Sequence, residues 1–152
     1  MGSEAVKQDK PSYRALNTYT KLMRASESVT GRVGRKMSDA GLTISQFGVL
    51  EALLHKGAMC QRDVAAKILK STGNITMVID NLEKQGLVKR ERSLEDRRYC
   101  TVLLTEKGRT VIEAAFAEVE AAIVKEMDAL TDDEQELLGK LCKKLGLREG
   151  SG

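Results

Sequence analysis

The 152-residue chain has one proline, one histidine and no tryptophan. A lone histidine excludes a histidine-rich metal centre. No GxSxG, P-loop or GxGxxG stretch offers catalysis or nucleotide binding, so the expectation is a protein that is not an enzyme and needs no metal or cofactor. Three cysteines, Cys60, Cys100 and Cys142, are odd in number, far apart and never in a CxxC, which excludes a disulfide framework and a zinc knuckle. Five aromatics, Tyr13, Tyr19, Phe47, Tyr99 and Phe116, form no stacking set of the kind single-stranded nucleic acid needs. No apolar run reaches the length of a membrane span, about 18 residues. The N-terminal MGSEAVKQDKPS lacks the apolar stretch of a secretory signal. With neither signal nor anchor, the cytoplasm is the expected compartment.

The charge, by contrast, is plentiful and uneven. Charged residues make up 31% and hydrophobic residues 41%, the balance of a folded soluble domain. The net charge of +3 hides a gradient. Residues 1–55 carry 8 Lys/Arg against 5 Asp/Glu, residues 56–110 carry 12 against 7, and residues 111–152 carry 5 against 10. The basic middle suits a polyanionic partner, and the acidic last third would be kept away from it.

After Pro11 no proline interrupts the chain, and Leu16, Tyr19, Leu22, Met23, Ser26, Val29 and Val33 recur near helical spacing. This predicts a long helix over residues 12–40, ended by Gly41. Thr43-Ile-Ser-Gln46 has capping-box spacing and opens a second helix that stops at Gly57. Val64, Ala65, Ile68 and Leu69 make a short amphipathic helix, and Ser71 is a candidate cap for the next, built on Ile75, Val78, Ile79 and Leu82. Two short helices joined by a tight turn form a helix-turn-helix unit. Residues 87–94 and 99–104 alternate around Glu95-Asp96-Arg97-Arg98 and predict a β-hairpin. Val111, Ile112, Ala115, Phe116, Val119, Ala122, Ile123 and Met127 stripe a further long helix. Thr131-Asp-Asp-Glu134 opens a last one with Leu137, Leu138, Leu141 and Leu145. The fold class is therefore mainly α with a small β-hairpin wing.

The stretch ISQFGVLEALLHKGAMCQRDVAAKIL, followed by STGNITMVIDNLEKQGLVKRERSLEDRRYCTVLLTEKG, resembles the MarR family of bacterial transcription regulators. The set of LEKQGLVKR, the EDRR wing and the LLTEKG helix start carries the likeness, which covers residues 12–145. It implies one unit over residues 12–146. Residues 43–104 form the winged helix-turn-helix, 12–40 and 105–146 the dimerisation helices, and 1–11 and 147–152 flexible ends. It also implies a homodimer on palindromic double-stranded DNA. Independently, two apolar helices at opposite ends of the chain need a covering surface. Either a second copy supplies it or the two ends pack on each other.

Within that likeness the second helix of the unit enters the major groove, exposing Thr72, Gly73, Asn74, Thr76 and Met77. Asn74 can pair with adenine and Thr76 can meet a thymine methyl or a phosphate, while Met77 stands where relatives often carry arginine. Asn74 can equally cap its helix. Gln61, Arg62, Ser71 and Thr72 are candidates for phosphates, as are Lys89, Arg90 and Arg92 on the first hairpin strand. The last three can also serve as a solvated strand edge. The residue matching Arg98 enters the minor groove, the one matching Asp96 braces it, and Arg97 lies on nearby phosphates. The bland alternative is a surface ion pair.

Tyr19, Met23, Phe47, Leu50, Leu54, His55 and Phe116 are candidates for an apolar effector pocket suited to a phenol, a quinone or another aromatic. They serve equally as core, with His55 capping the end of its helix. Cys60 and Cys100 lie on segments that pair in this fold, so a redox or electrophile sensor stands beside the reading of small core residues.

The resulting expectation is a dimeric regulator, a repressor released by a small aromatic ligand. A protein-only adaptor is the competing use of the scaffold.

Overall fold

Pro11 opens the first helix, where its missing N–H would have no partner in any case. The computed structural model describes residues 10–68, 72–96 and 99–148. The elements run α1 (Pro11–Asp39), α2 (Ile44–Lys56), β1 (Met59–Cys60), α3 (Gln61–Lys67), α4 (Thr72–Lys84), β2 (Val88–Arg92), β3 (Cys100–Leu104), α5 (Glu106–Met127) and α6 (Asp132–Leu147). The fold is thus mainly helical with a three-stranded antiparallel sheet in the order β1-β3-β2. Among the described residues no helix is long and apolar enough to cross a membrane.

Local chemistry sets most boundaries. Gly41 and Gly57 take positive φ just after α1 and α2. The Thr43 hydroxyl accepts the Gln46 N–H at 3.1 Å while the Gln46 side chain accepts the Thr43 N–H at 2.9 Å, a complete capping box. Thr131 and Glu134 repeat it at the start of α6. Two expected elements are shorter than their apolar pattern. α3 stops at Lys67 with Ile68 as its cap, and Leu69 lies outside the described residues. The hairpin strands end at Arg92 and begin again at Cys100. Here the Ser93 hydroxyl draws the N–H groups of Glu95 and Asp96 into a turn instead.

The core joins α2, α3, α4, the sheet and α5. Leu50, Leu53, Val64, Ile75, Ile79, Leu82, Val102, Ile112 and Val119 are fully enclosed. Ile75, Ile79 and Leu82 form one stripe of α4 at i, i+4 and i+7, and their burial fixes how that helix is turned. α1 joins only through its C-terminal half, where Val33 is buried and Val29 and Met37 pack against the core. None of the described residues of α6 is buried.

A tight joint links α4 to α5. Thr105 caps α5, its hydroxyl accepting the Gly108 N–H at 3.0 Å and donating to the Gly86 carbonyl at 2.6 Å. The Thr105 N–H reaches the Leu87 carbonyl at 3.1 Å, and the Lys107 ammonium donates to the Gln85 carbonyl at 3.0 Å. A Cβ on Gly108 would stand 1.9 Å from the Leu87 carbonyl oxygen, so the backbones meet more closely than any side chain permits.

Farther along α5, Arg32 Nε donates to Glu126 Oε1 at 2.7 Å and ties α1 to it. That hydrogen bond, helped by the positive charges of Arg32 and Lys125, holds the Glu126 carboxyl below the ordinary glutamate value of 4.5. A depressed folded value adds stability above the unfolded value, and this is lost as pH falls through the folded one. The urea midpoint should therefore drop on acidification from about pH 5 to about pH 3. Glu126→Gln should drop less over that range, and equal drops would remove the pair from the acid response.

Candidate nucleic-acid interface

α3, α4 and the hairpin pack on one another and carry part of the chain's basic middle. On α4, Asn74 is exposed and Met77 is 66% exposed, both clear of the Ile75–Ile79–Leu82 stripe. Arg62 is exposed near the start of α3. Arg92 is exposed at the end of β2, while Lys89 pairs loosely with Glu91 at 3.5 Å on the outer face of that strand. Ser71, Arg97 and Arg98 lie outside the described residues, and Thr72 and Gly73 are described by backbone alone. At the base of the wing tip the Ser93 N–H bonds the Tyr99 carbonyl and the Tyr99 N–H bonds the Asp96 carbonyl, each at 3.0 Å.

Three expected contact residues, Gln61, Thr76 and Arg90, are engaged inside the unit. Gln61 Nε2 donates to the Thr76 hydroxyl at 2.6 Å, joining α3 to α4. Arg90 turns inward. Its partner across the sheet is Val102, which is fully buried, and Val88, two residues earlier, is buried as well. The Arg90 side chain is only 20% exposed. Its Nη1 lies 2.7 Å from Asp80 Oδ1 and 3.3 Å from Glu83 Oε1, and its Nη2 lies 3.4 Å from the Thr76 carbonyl oxygen. The Arg90 backbone N–H donates to Glu83 Oε2 at 3.1 Å.

Sequence reasoning missed Asp80 and Glu83. Their signal was present: with Thr76 they lie at i, i+4 and i+7 of α4, one face of the helix, opposite a strand position that shares the inner side with Val88.

Known proteins resemble the chain in sequence and fold. Residues 33–115, just over half the chain, match the family described as transcriptional regulator SarA/Rot. The HTH-type transcriptional regulator MhqR of Bacillus subtilis (strain 168) is 33% identical over 134 residues, covering 88% of this chain and 92% of its own. The chain is a MarR family transcriptional regulator. Two solved regulators superpose on it. BpsR of Bordetella bronchiseptica, whose DNA binding is regulated by 6-hydroxynicotinic acid, has a TM-score of 0.78 and 26% identity, covering 86% of this chain and 98% of that one. NadR, solved in complex with 4-hydroxyphenylacetate, has a TM-score of 0.70 and 25% identity, covering 83% and 89%. As a MarR family member the protein is a DNA-binding transcriptional regulator with a winged helix-turn-helix, and not an enzyme.

The candidate effector residues of this MarR family member separate into two groups. Phe47 and Leu50 are buried in the core, Leu54 and Phe116 pack against it, and His55 meets Phe116 edge-to-face with ring centroids 4.9 Å apart. His55 Nδ1 also lies 3.0 Å from the Glu51 carbonyl oxygen, one turn back. Tyr19 and Met23 do not join them in one chain. They stand on the outward part of α1, Tyr19 63% exposed. At the helical rise per residue, Tyr19 is roughly 25 Å along α1 from Lys36, the residue that lies beside Ala114 and Ala115 of α5. A cavity of about 430 Å³ at that place is lined by Lys36, Asp39, Val111, Ala114, Ala115 and Glu118, and by none of the seven expected residues.

The cysteines are free thiols. β1 does pair with β3, but the register sets Cys60 against Thr101. Cys100 is therefore one residue out of step and points to the opposite face of the sheet. Cys142 is exposed on α6.

Proposed function

We propose that the protein is a homodimeric repressor that holds a palindromic operator with two winged helices and releases it on binding a small hydroxylated aromatic compound. The observation that carries this reading is the apolar surface one chain leaves open. α6 exposes Leu137, Leu138, Leu141, Leu145 and Leu147, and α1 exposes Tyr13, Leu16, Tyr19 and Met23. An apolar groove of about 320 Å³ runs between them, lined by Leu22, Ala25, Leu138, Leu141, Cys142 and Leu145. A second copy covers such faces by offering the same ones in return. Two recognition helices then face one side of the duplex and require half-sites about 34 Å apart.

On each half-site Thr72, Gly73, Asn74, Thr76 and Met77 face the major groove. Arg62, Ser71 and Arg92 hold phosphates, while Gln61 stays bonded to Thr76. Arg98, braced by Asp96, enters the minor groove, with Arg97 on the adjoining backbone. Of the pocket residues, Tyr19, Met23 and His55 are the exposed ones, and Leu54 and Phe116 are half-buried. The separation along α1 favours Tyr19 and Met23 coming from the second copy. The ligands named for BpsR and NadR, a hydroxylated nicotinic acid and a hydroxylated phenylacetate, supply the chemical class. A ligand that binds better to a dimer with mismatched spacing shifts the population off DNA.

A duplex selected from a random pool by the parent protein is the probe. Adding 4-hydroxyphenylacetate or 6-hydroxynicotinic acid should release the protein from it, and retention at saturating levels of both would remove the aromatic effector. Arg98→Ala should weaken the same complex about tenfold, the worth of roughly one charge-assisted contact, without changing the protein's mass in solution. Unchanged affinity would reject the wing assignment.

A further inference from the structure

We infer that Arg90 is a positioning residue rather than a DNA contact. It locks the recognition helix to the wing, and Asp80 and Glu83 are placed on the DNA-facing unit to hold it. The inference rests on DNA binding by the winged helix, and on neither the effector nor the number of copies.

Strand alternation puts Arg90 on the inner side of β2, the side of Val88 and Val102. A phosphate ligand needs an open side chain, and Arg90 is only 20% exposed where Lys89 keeps 58% and Arg92 stands exposed at the strand's end. The guanidinium fork instead spans three acceptors on α4: Asp80 at 2.7 Å, Glu83 at 3.3 Å and the Thr76 carbonyl at 3.4 Å. Glu83 also accepts the Arg90 backbone N–H, so the strand itself is bonded to the helix as well as its side chain. Thr76 extends the chain of bonds to Gln61 on α3. One run of contacts thus crosses α3, α4 and β2, the three elements that must meet major groove, minor groove and backbone in a fixed relation. Two carboxylates beside a polyanion oppose binding by charge alone. Their presence is explained if orienting α4 against the wing contributes more to recognition than their repulsion removes. Arginine suits the site because Nη1 serves the two carboxylates while Nη2 reaches the Thr76 carbonyl, and a single ammonium nitrogen lacks that second arm.

The consequence has a sign opposite to simple electrostatics. Asp80→Ala removes a negative charge near DNA, so a charge-only account predicts tighter binding to every duplex. The lock predicts about fivefold weaker binding to the selected duplex, the upper end for a partly exposed ion pair, with binding to poly(dI-dC) unchanged or tighter. Arg90→Lys keeps the charge and should lose affinity for the selected duplex to a similar extent while the slope of affinity against salt stays that of the parent. A lost phosphate contact would instead flatten that slope. Glu83→Gln is the milder third variant and should fall in the same direction, and thermal melting of each variant checks that it is folded. Tighter binding of Asp80→Ala to both DNAs, or an Arg90→Lys variant indistinguishable from the parent on the selected duplex, would overturn the lock. Failure of the aromatic ligands to release DNA, or a single-chain mass, would leave these comparisons intact.

Discussion

Gly108→Ala is expected to lower the stability of the folded protein by about 3 kcal/mol or more, the upper end of what overpacking costs. The position lies inside α5, where alanine would ordinarily be the better residue by roughly 0.5–1 kcal/mol. The opposite sign is expected here because the added carbon meets the Leu87 carbonyl oxygen at 1.9 Å and the Leu87 carbonyl carbon at 2.8 Å. Both are backbone atoms, and Leu87 cannot retreat cheaply. It is buried, it is bonded through its N–H to the Leu82 carbonyl, and its own carbonyl accepts the Thr105 N–H. Relief must come from moving α5 away from the end of α4, which breaks the Thr105 and Lys107 bonds as well. For a chain of this size the melting temperature should fall by roughly 6–12 °C. A urea titration gives the free energy directly, and a loss under about 1 kcal/mol would mean the two backbones are not pressed together.

Leu141→Glu is expected to split the protein into single chains and to weaken operator binding on the order of 100-fold, the loss of avidity when two heads no longer act together. Leu141 is 55% exposed on a helix that buries none of its described residues, and it lines the groove that also holds Leu138 and Leu145. A helix of 16 residues is marginal alone in water, so α6 needs a surface to lie against. The alternative, that the two ends of the chain satisfy each other, is opposed by the open groove between α1 and α6. A carboxylate in the middle of a shared apolar face has no partner there and would have to be desolvated in both copies. Sedimentation should show the mass falling from about twice 16.7 kDa to once that value. A variant that keeps the double mass would place the interface elsewhere. Because Leu141 is remote from the winged helix core, melting of the core elements should still be cooperative.

The contrast between these two positions shows where sequence reasoning reaches and where it stops. The capping boxes at Thr43 and Thr131 were legible because donor and acceptor lie three residues apart on the same chain. The apolar face of α6 was legible because it repeats at helical spacing, and the hairpin because its strands alternate. Gly108 was not legible as a constraint. A glycine in a helix looks like any other until Leu87, twenty-one residues earlier, is laid against it. Arg90 sits between the two cases. Its inward side follows from its distance to Val88, yet its task follows only once Asp80 and Glu83 are seen over the strand. Tyr19 and Met23 have the same helical spacing as core residues, and spacing alone does not tell a residue covered by its own chain from one awaiting another. The cysteines make a similar point. Pairing of β1 with β3 brings Cys60 and Cys100 to adjacent strands, and a register offset of one residue sends them to opposite faces.

The central claim, two winged heads of one dimer on one duplex, is tested most directly by counting chains on DNA. The parent protein would select a duplex from a random pool, and the saturated complex would be weighed by sedimentation. Two chains per duplex on a sequence that repeats in inverted order are predicted. A single chain per duplex, on a site with no such symmetry, would contradict the account.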